Sequence, residues 1–342
     1  MTWTAPEHWL RIETIDAHTE GEPLRVIVAG FPELEGDSVL ARRRVARADH
    51  DELRRALMWE PRGHADMYGC LVMPPVRPGS DFSVLFMHNE GYSTMCGHGI
   101  IGVAKIAVEA GWIDGSGDER PVTIDTPAGL VRATAMLDGA RVREVRFLNV
   151  PSFAATLDRV VEVEGLGTVP YDLAFGGAFY AYVDADALGL PLTPAGATGL
   201  IDAGRRITHA VSASAGGDIS HPDDADLGFL YGTVFTGKAA DPAHHSRHVC
   251  IFAEGELDRS PTGTAVSGRL AILRARRELS GDAEIIVESI IGGRFGGRIV
   301  DTTTVGGHPA VVPEVGGRAW VTGRHEFVVD PEDPWRDGFL VR

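Results

Sequence analysis

The sequence predicts two matching halves, each of which combines β-strands with one apolar helix. Two apolar runs carry this prediction: residues 100–110 follow Cys96, and a second run follows Thr262, 166 positions further on. A helix that is apolar nearly all round is typical of a domain centre rather than of a surface. A strand-like segment follows each run, at residues 122–126 and 285–290. Cys96-Gly97-His98 in the first half thus corresponds to Thr262-Gly263-Thr264 in the second.

The length and composition agree with two domains of ordinary size. A chain of 342 residues can bury two cores, and 44% of it is hydrophobic. No apolar run is long enough to cross a bilayer, and residues 1–10 lack the order of a signal peptide, so the expected location is the cytoplasm. A formal net charge of −16 argues against a nucleic-acid partner, because phosphate binding relies on clustered basic residues. The three cysteines form no C-x-x-C pair, as expected of a reducing compartment.

The first half is predicted to consist of strands and loops that close on the Cys96 helix. Residues 10–17 and 24–29 form a hairpin-like pair, and residues 42–57 are helical. Further strands are predicted at residues 70–73, 82–88, 122–126, 130–136 and 142–147. Ser93 or Thr94 is expected to cap the apolar helix, and Pro151 marks the boundary between the halves.

The second half is predicted to repeat this plan with a longer insertion. Residues 187–199 are expected to form a helix followed by a loop, and Ser260 with Pro261 is a helix-start signal. Strands are predicted at residues 178–183, 230–235 and 248–253. Alternation in the last strand puts His248, Cys250 and Phe252 on one face, where ordinary core packing is the more common role of a cysteine.

Cys96 is the candidate base or nucleophile of the chain. At a helix start its thiol faces backbone N–H groups and the positive end of the helix dipole, so its pKa is predicted to be lowered toward neutrality. A buried structural thiol is the alternative. The matching helix start at Thr262 favours a functional role, since two such starts at one seam place both residues across one cleft. The first N–H groups of the two helices, at residues 97–98 and 263–264, can hold a carboxylate.

Several separated motifs follow one another along almost the whole chain. They are residues 18–23 (HTEGEP), 61–64 (PRGH), 95–99 (MCGHG), 176–180 (GGAFY), 258–264 (DRSPTGT) and 327–331 (FVVDP). With these motifs the chain resembles the proline racemase-like enzymes, which include proline racemases, hydroxyproline 2-epimerases and trans-3-hydroxy-L-proline dehydratases. Racemases and epimerases of this family carry a second cysteine where this chain has Thr262. The pair of Cys96 and Thr262 therefore resembles the dehydratase branch.

The resemblance implies an α+β fold of the diaminopimelate epimerase-like type. In such a fold two pseudo-symmetric domains each wrap a curved sheet around a central helix, and the active site lies in the cleft between them. The domains are expected at residues 1–152 and 153–324, with residues 325–342 returning to the first domain. A homodimer is implied, as is a reaction without a metal or other cofactor.

The resemblance also implies a reaction and a set of site residues. A 3-hydroxyproline-like cyclic amino acid, trans-3-hydroxy-L-proline, would lose water to give 1-pyrroline-2-carboxylate, with Cys96 as the base that takes the α-proton. Thr262 is expected to hydrogen-bond the departing hydroxyl or a relaying water, because a threonine hydroxyl is a poor acid toward the opposite face. The substrate-binding residues so implied are Gly97, His98, Asp258, Gly263, Thr264 and Phe252, with Tyr68 and Cys250 as further candidates.

Other functions remain open at the level of the sequence. A 4-hydroxyproline 2-epimerase or a proline racemase would use the same pocket, and a non-catalytic protein could bind a small molecule there. A cysteine hydrolase built on Cys96 and His98 lacks an evident third residue to orient the histidine. The G-x-G-x-x-G pattern at residues 97–102 does not directly follow a strand, which argues against a dinucleotide site. The histidines within residues 244–248 lack a partner spacing that would complete a metal site.

Overall fold

The computed structural model describes residues 3–279 and 283–341. Within them the chain forms seventeen strands, all joined in one sheet, and five α-helices. The first half contains β1 (Leu10–Thr19), β2 (Glu22–Ala29), α1 (Val39–Asp49), α2 (Asp51–Met58), β3 (Tyr68–Met73), β4 (Phe82–His88), α3 (Gly97–Glu109), β5 (Glu119–Thr126), β6 (Gly129–Asp138) and β7 (Arg141–Leu148). The second half contains β8 (Ser152–Val163), β9 (Gly167–Phe175), β10 (Phe179–Asp184), α4 (Ala197–Ser214), β11 (Leu230–Gly237), β12 (Ser246–Phe252), β13 (Glu256–Leu257), α5 (Gly263–Arg276), β14 (Ile285–Glu288), β15 (Arg294–Val305), β16 (His308–Gly317) and β17 (Ala319–Val329).

The order of strand pairings repeats from the first half to the second. From β1 to β7 successive strands pair antiparallel, parallel, antiparallel, parallel, antiparallel and antiparallel. The series β9, β10, β11, β12, β14, β15 and β16 shows the same six pairings in the same order. Since α3 lies between β4 and β5, and α5 between β12 and β14, the two helices occupy equivalent places. The predicted α+β fold of two pseudo-symmetric halves is confirmed.

The two halves are joined through shared strand pairings. Both β7 and β8 pair with β16. The last strand, β17, pairs antiparallel with β1, so that Leu10 lies opposite Val329. The last strand of the sheet therefore lies beside the first. The domain limits at residues 152 and 324 stay predictions.

The helices α3 and α5 lie at the centre of the largest hydrophobic cluster. Residues 97–107 of α3 are all buried, and one cluster contains Ile100 and Val103 from α3 together with Val266 and Leu270 from α5. Each such side chain contributes about 1.5–3 kcal/mol when it is fully buried. The core thus holds the starts of both helices in place. No helix of the described residues is long and apolar enough to cross a membrane.

Two helix predictions differ from the structure. The helix predicted at residues 42–57 is divided at His50, whose φ of −140° and ψ of 20° end α1 and allow α2 to begin at Asp51. The prediction of a helix followed by a loop at residues 187–199 was wrong, because α4 begins only at Ala197 and continues to Ser214. Its buried residues recur every three or four positions, a period that continues beyond the segment assigned from the sequence: Leu200, Ala203, Gly204, Ile207, Thr208 and Val211.

Candidate active site

A narrow cavity lies where the first turns of α3 and α5 meet. It is lined by Tyr68, Met95, Cys96, Gly97, His98, Tyr180, Tyr231, Phe252, Asp258, Thr262, Gly263 and Thr264. The structure thus brings together every residue predicted for the site except Cys250, which lies behind the wall. Met95, Tyr180 and Tyr231 were not predicted: Met95 and Tyr180 lie in two of the quoted motifs but were not singled out, and no motif surrounds Tyr231.

The starts of α3 and α5 touch through glycine backbone. A Cβ atom on Gly97 would lie 2.6 Å from Cα of Gly263, and a Cβ on Gly263 would lie 2.8 Å from Cα of Gly97. Only glycine permits this approach. The first N–H groups of a helix have no acceptor within it, so two sets of free donors and two positive dipole ends converge on the cavity. This arrangement suits a carboxylate.

Cys96 is the N-cap residue of α3. Its Sγ accepts a hydrogen bond from the N–H of Gly99 at 3.2 Å and lies 3.2 Å from Nδ1 of His98. The predicted caps are wrong, since Ser93 and Thr94 hydrogen-bond to groups outside the helix. The thiol itself therefore takes the position that a capping hydroxyl commonly occupies.

Burial raises the pKa of the Cys96 thiol well above its ordinary value. A hydrogen bond from the Tyr68 hydroxyl lowers this pKa, whereas the carboxyl groups of Asp258 and Glu22 raise it further. The predicted fall of the pKa toward neutrality was wrong, because the cost of desolvating a thiolate outweighs the helix start. Burial also lowers the pKa of His98, so its imidazole is neutral at pH 7.

Thr262 is held in a strained conformation at the start of α5. Its φ of 62° and ψ of 98° lie in a region that a β-branched residue rarely adopts, at a cost of about 1–3 kcal/mol. Its Oγ1 donates to Oδ2 of Asp258 at 2.7 Å, and its N–H donates to Oγ of Ser260 at 3.1 Å. Ser260 therefore orients Thr262. The helix-start signal at Ser260 and Pro261 lies just before the N-cap position of α5, which is Thr262. The turn at residues 258–262 points the hydroxyl proton of Thr262 at a carboxylate.

Cys250 contacts the site from behind Thr262. Its side chain is fully buried; burial raises the pKa of its thiol, and the nearby Thr262 hydroxyl lowers it. The predicted alternation of its strand is confirmed, because Cys250 and Phe252 pack around α3 and α5 while Val249 and Ile251 pack in the cluster beneath α4. Cys250 is thus both a core residue and a neighbour of the site.

The rings of Tyr68, Tyr231 and Phe252 line one side of the cavity, and His88 packs against them without lining it. Phe252 contacts Tyr68 and Tyr231 with ring centroids 6.1 and 5.3 Å apart, and His88 lies 5.7 Å from both Tyr231 and Phe252. Nδ1 of His88 is 3.0 Å from Oε1 of Glu256, which is itself fully buried. These rings, most of them edge-to-face, give the cavity an apolar side suited to a small ring. His88, like Tyr231, was not predicted from the sequence.

The histidines considered as metal ligands have other partners. Nδ1 of His244 lies 2.8 Å from Glu288, and Nδ1 of His245 lies 3.0 Å from Oγ of Ser246. His248 is fully buried in β12. Among residues 3–279 and 283–341, no group of three histidine, cysteine, aspartate or glutamate side chains is placed to hold a metal ion.

The repeated sheet and the two helix starts that meet at one cavity define a class of protein, and similarity to known proteins identifies it. The family model described as "Proline racemase" matches residues 14–340, so the chain belongs to the proline racemase family.

Relatives within this family carry different names. The "Trans-3-hydroxy-L-proline dehydratase" of Colwellia psychrerythraea is 47% identical to this chain, over 98% of this chain and 94% of its own. The "3-hydroxyproline 2-epimerase" of Burkholderia multivorans is 44% identical, over 97% and 98% of the two chains. The crystal structure of a hydroxyproline epimerase from Agrobacterium vitis with bound trans-4-hydroxy-L-proline is similar with a TM-score of 0.92, at 32% identity over 98% and 96% of the two chains.

Proposed function

We propose that this protein is a hydro-lyase that converts trans-3-hydroxy-L-proline to 1-pyrroline-2-carboxylate without a cofactor. The observation that carries the proposal is the pair at the two helix starts: Cys96 faces Thr262, rather than a second thiol, across one cavity. The similarity to a relative named trans-3-hydroxy-L-proline dehydratase supports it.

The substrate carboxylate is proposed to bind between the two helix starts. The first N–H groups of α3 and α5 donate to its oxygens and stabilise the enolate-like charge that develops on them when the α-proton leaves. Phe252 and Tyr68 pack against the ring, and Asp258 and His98 lie near the ring nitrogen. The substrate is then held with its α-carbon between Cys96 and Thr262.

Cys96 is proposed to become a thiolate only as the substrate binds. Burial and nearby carboxyl groups raise the pKa of its thiol, so the neutral form prevails in the protein alone. A bound amino acid brings a cationic ring nitrogen, and an opposite charge within about 4–6 Å favours the ionised form of a thiol. Ionisation of Cys96 is therefore coupled to binding, and the thiolate takes the α-proton.

Loss of the 3-hydroxyl follows from loss of the α-proton. The electron pair of the broken C–H bond forms a double bond between the α-carbon and C3 while the C3–O bond breaks. Because the 3-hydroxyl of the trans isomer lies on the same ring face as the α-proton, the thiol of Cys96 returns the proton it has taken to the leaving hydroxide, which departs as water. Substrate minus water is a cyclic enamine. The enamine moves a proton from nitrogen to C3 and becomes the imine. Thr262 lies toward the opposite face, where its hydroxyl donates to Asp258 and offers no acid strong enough to protonate the α-carbon.

A 2-epimerase is the second candidate, and one observation favours it. The Thr262 hydroxyl lowers the pKa of the neighbouring Cys250 thiol, so Cys250 could supply a proton to the face opposite Cys96 when that hydroxyl turns from Asp258 toward the substrate. A relative named 3-hydroxyproline 2-epimerase supports the same candidate. Both reactions begin with removal of the α-proton by Cys96.

Product analysis in deuterated water separates the two functions. The purified protein is mixed with trans-3-hydroxy-L-proline, and the products are followed by NMR, with reduction of any imine to proline by borohydride. Dehydration predicts loss of the hydroxyl and formation of the cyclic imine. Recovery of 3-hydroxyproline that is inverted and deuterated at the α-carbon, without imine, would refute the hydro-lyase and support the epimerase.

A further inference from the structure

Glu22 is a fully buried carboxyl group that reaches from the first half of the chain to the second. It lies at the start of β2, and its Oε2 accepts the backbone N–H of Arg259 at 2.6 Å. Its Oε1 is buried with no hydrogen-bond partner among the described residues. The next N–H of the turn, that of Ser260, is bound by Oδ1 of Asp258 at 2.7 Å. Two carboxyl groups thus hold consecutive N–H groups of the turn that carries Thr262.

The charged groups around Glu22 disfavour an anion there. Burial raises the pKa of Glu22 well above its ordinary value, and the carboxyl groups of Asp258 and Asp66 raise it further. Arg259 lowers this pKa, but its guanidinium donates to Asp66 at 3.0 Å and to the carbonyl of Leu257 at 2.8 Å. A buried carboxylate with one oxygen lacking a donor is costly, and protonation removes most of that cost.

We propose that Glu22 is a positioning residue of the reaction, which as a neutral carboxylic acid holds the Thr262 turn in place opposite Cys96. The inference rests on the proposed function only in taking Cys96 and Thr262 as the groups that face the α-carbon. It gives Glu22, from the HTEGEP motif at residues 18–23, a role in holding a turn that the second half of the chain contributes to the site.

Neutrality matters because an anion at Glu22 would act on the groups that perform the chemistry. An ionised Glu22 would raise the pKa of the thiols of Cys96 and Cys250. A full negative charge beside Asp258 would further oppose a thiolate at Cys96 and repel a substrate carboxylate from the helix starts. Ionisation of Glu22 therefore lowers activity as the pH rises.

The first test measures unfolding by urea against pH for the wild type, Glu22→Gln and the control Glu20→Gln. Glu20 lies on the same turn, but its carboxylate accepts from Arg318 at 3.3 Å and from the N–H of Arg294 at 3.2 Å. A raised pKa in the folded state means that stability is fully present below the unfolded pKa and is lost as pH rises through the folded pKa.

We therefore expect Glu22→Gln to gain stability relative to the wild type as the pH rises above about 4. Its unfolding midpoint in urea should rise relative to that of the wild type. The unfolding midpoint of the control Glu20→Gln should not rise relative to that of the wild type over this range. An equal pH dependence of Glu22→Gln and the wild type would show that Glu22 has an ordinary pKa and would overturn the inference.

The second test measures deuterium exchange of the α-proton, which does not depend on whether dehydration or epimerisation follows. The quantity compared is the ratio of the exchange rate at about pH 9 to the rate at about pH 6. This ratio should be about tenfold larger for Glu22→Gln than for the wild type. Glu22→Ala should lose exchange at every pH, because the N–H of Arg259 loses its acceptor. A Gln variant as inactive as the Ala variant would mean that the carboxylate is required, which contradicts the inference. Exchange without dehydration would refute the proposed hydro-lyase alone.

Discussion

Replacement of Gly97 by alanine tests whether the contact of the two helix starts sets the geometry of the site. The added Cβ would lie 2.6 Å from Cα of Gly263, whereas ordinary van der Waals contact begins near 3.4 Å. The two backbones must therefore separate by about 0.8 Å. No flexible side chain can yield in their place, because the neighbour is backbone and both helices are packed in one core. Overpacking of this kind costs about 1–3 kcal/mol of stability.

The effect of Gly97→Ala on activity should exceed its effect on stability. A displacement of about 1 Å at a reacting centre can lower the rate about 100-fold. We expect kcat/KM for exchange of the α-proton to fall by about that factor while the protein stays folded at 25 °C. Exchange is measured by NMR in deuterated water, and folding is measured by thermal unfolding of the same samples.

Gly91→Ala is the matched control. Gly91 precedes α3 on the same segment, and a Cβ there would meet no atom within 4 Å. This variant should stay within about twofold of the wild type, as surface changes usually do. If Gly97→Ala kept the same kcat/KM as Gly91→Ala, the contact with Gly263 would not set the catalytic geometry, and the proposed binding of the carboxylate between the helix starts would lose its basis.

Three further variants test other parts of the site and fold. Cys96→Ser should abolish α-proton exchange and dehydration but keep the fold, and near wild-type exchange would show that another residue is the base. Thr262→Cys restores a two-thiol site and should confer α-centre inversion on 4-hydroxyproline, detected by chiral chromatography; efficient inversion by the wild type would refute the dehydratase assignment. Burial alone would raise the pKa of Glu288, but hydrogen bonds from the N–H groups of Asp241 and Ala240 and from two side chains lower it to about 2. Glu288→Gln should therefore lose up to about 3 kcal/mol at neutral pH, a difference that disappears in urea titrations as the pH falls toward 2.

The amino-acid sequence alone was sufficient to predict the repeat and to identify the two residues, Cys96 and Thr262, that precede its apolar helices. An apolar run is a local pattern, and Cys96 and Thr262 each precede one, so their correspondence could be found without coordinates. The alternation of β12 is local as well, and it correctly separated Cys250 and Phe252 from their neighbours. Both elements are buried because their residues are hydrophobic, and hydrophobicity is a property of each residue that can be read without knowing its neighbours in space.

The electrostatics of the site required the folded chain. From the sequence, a helix start lowers the pKa of Cys96; in the structure, burial and the carboxyl groups of Asp258 and Glu22 raise it. The contact between Glu22 and Arg259 joins residues 237 positions apart, and the contacting rings of Tyr231 and His88 come from different halves of the chain. Desolvation and Coulomb energies depend on which groups surround a charge, and those groups come together only when distant strands pair and pack.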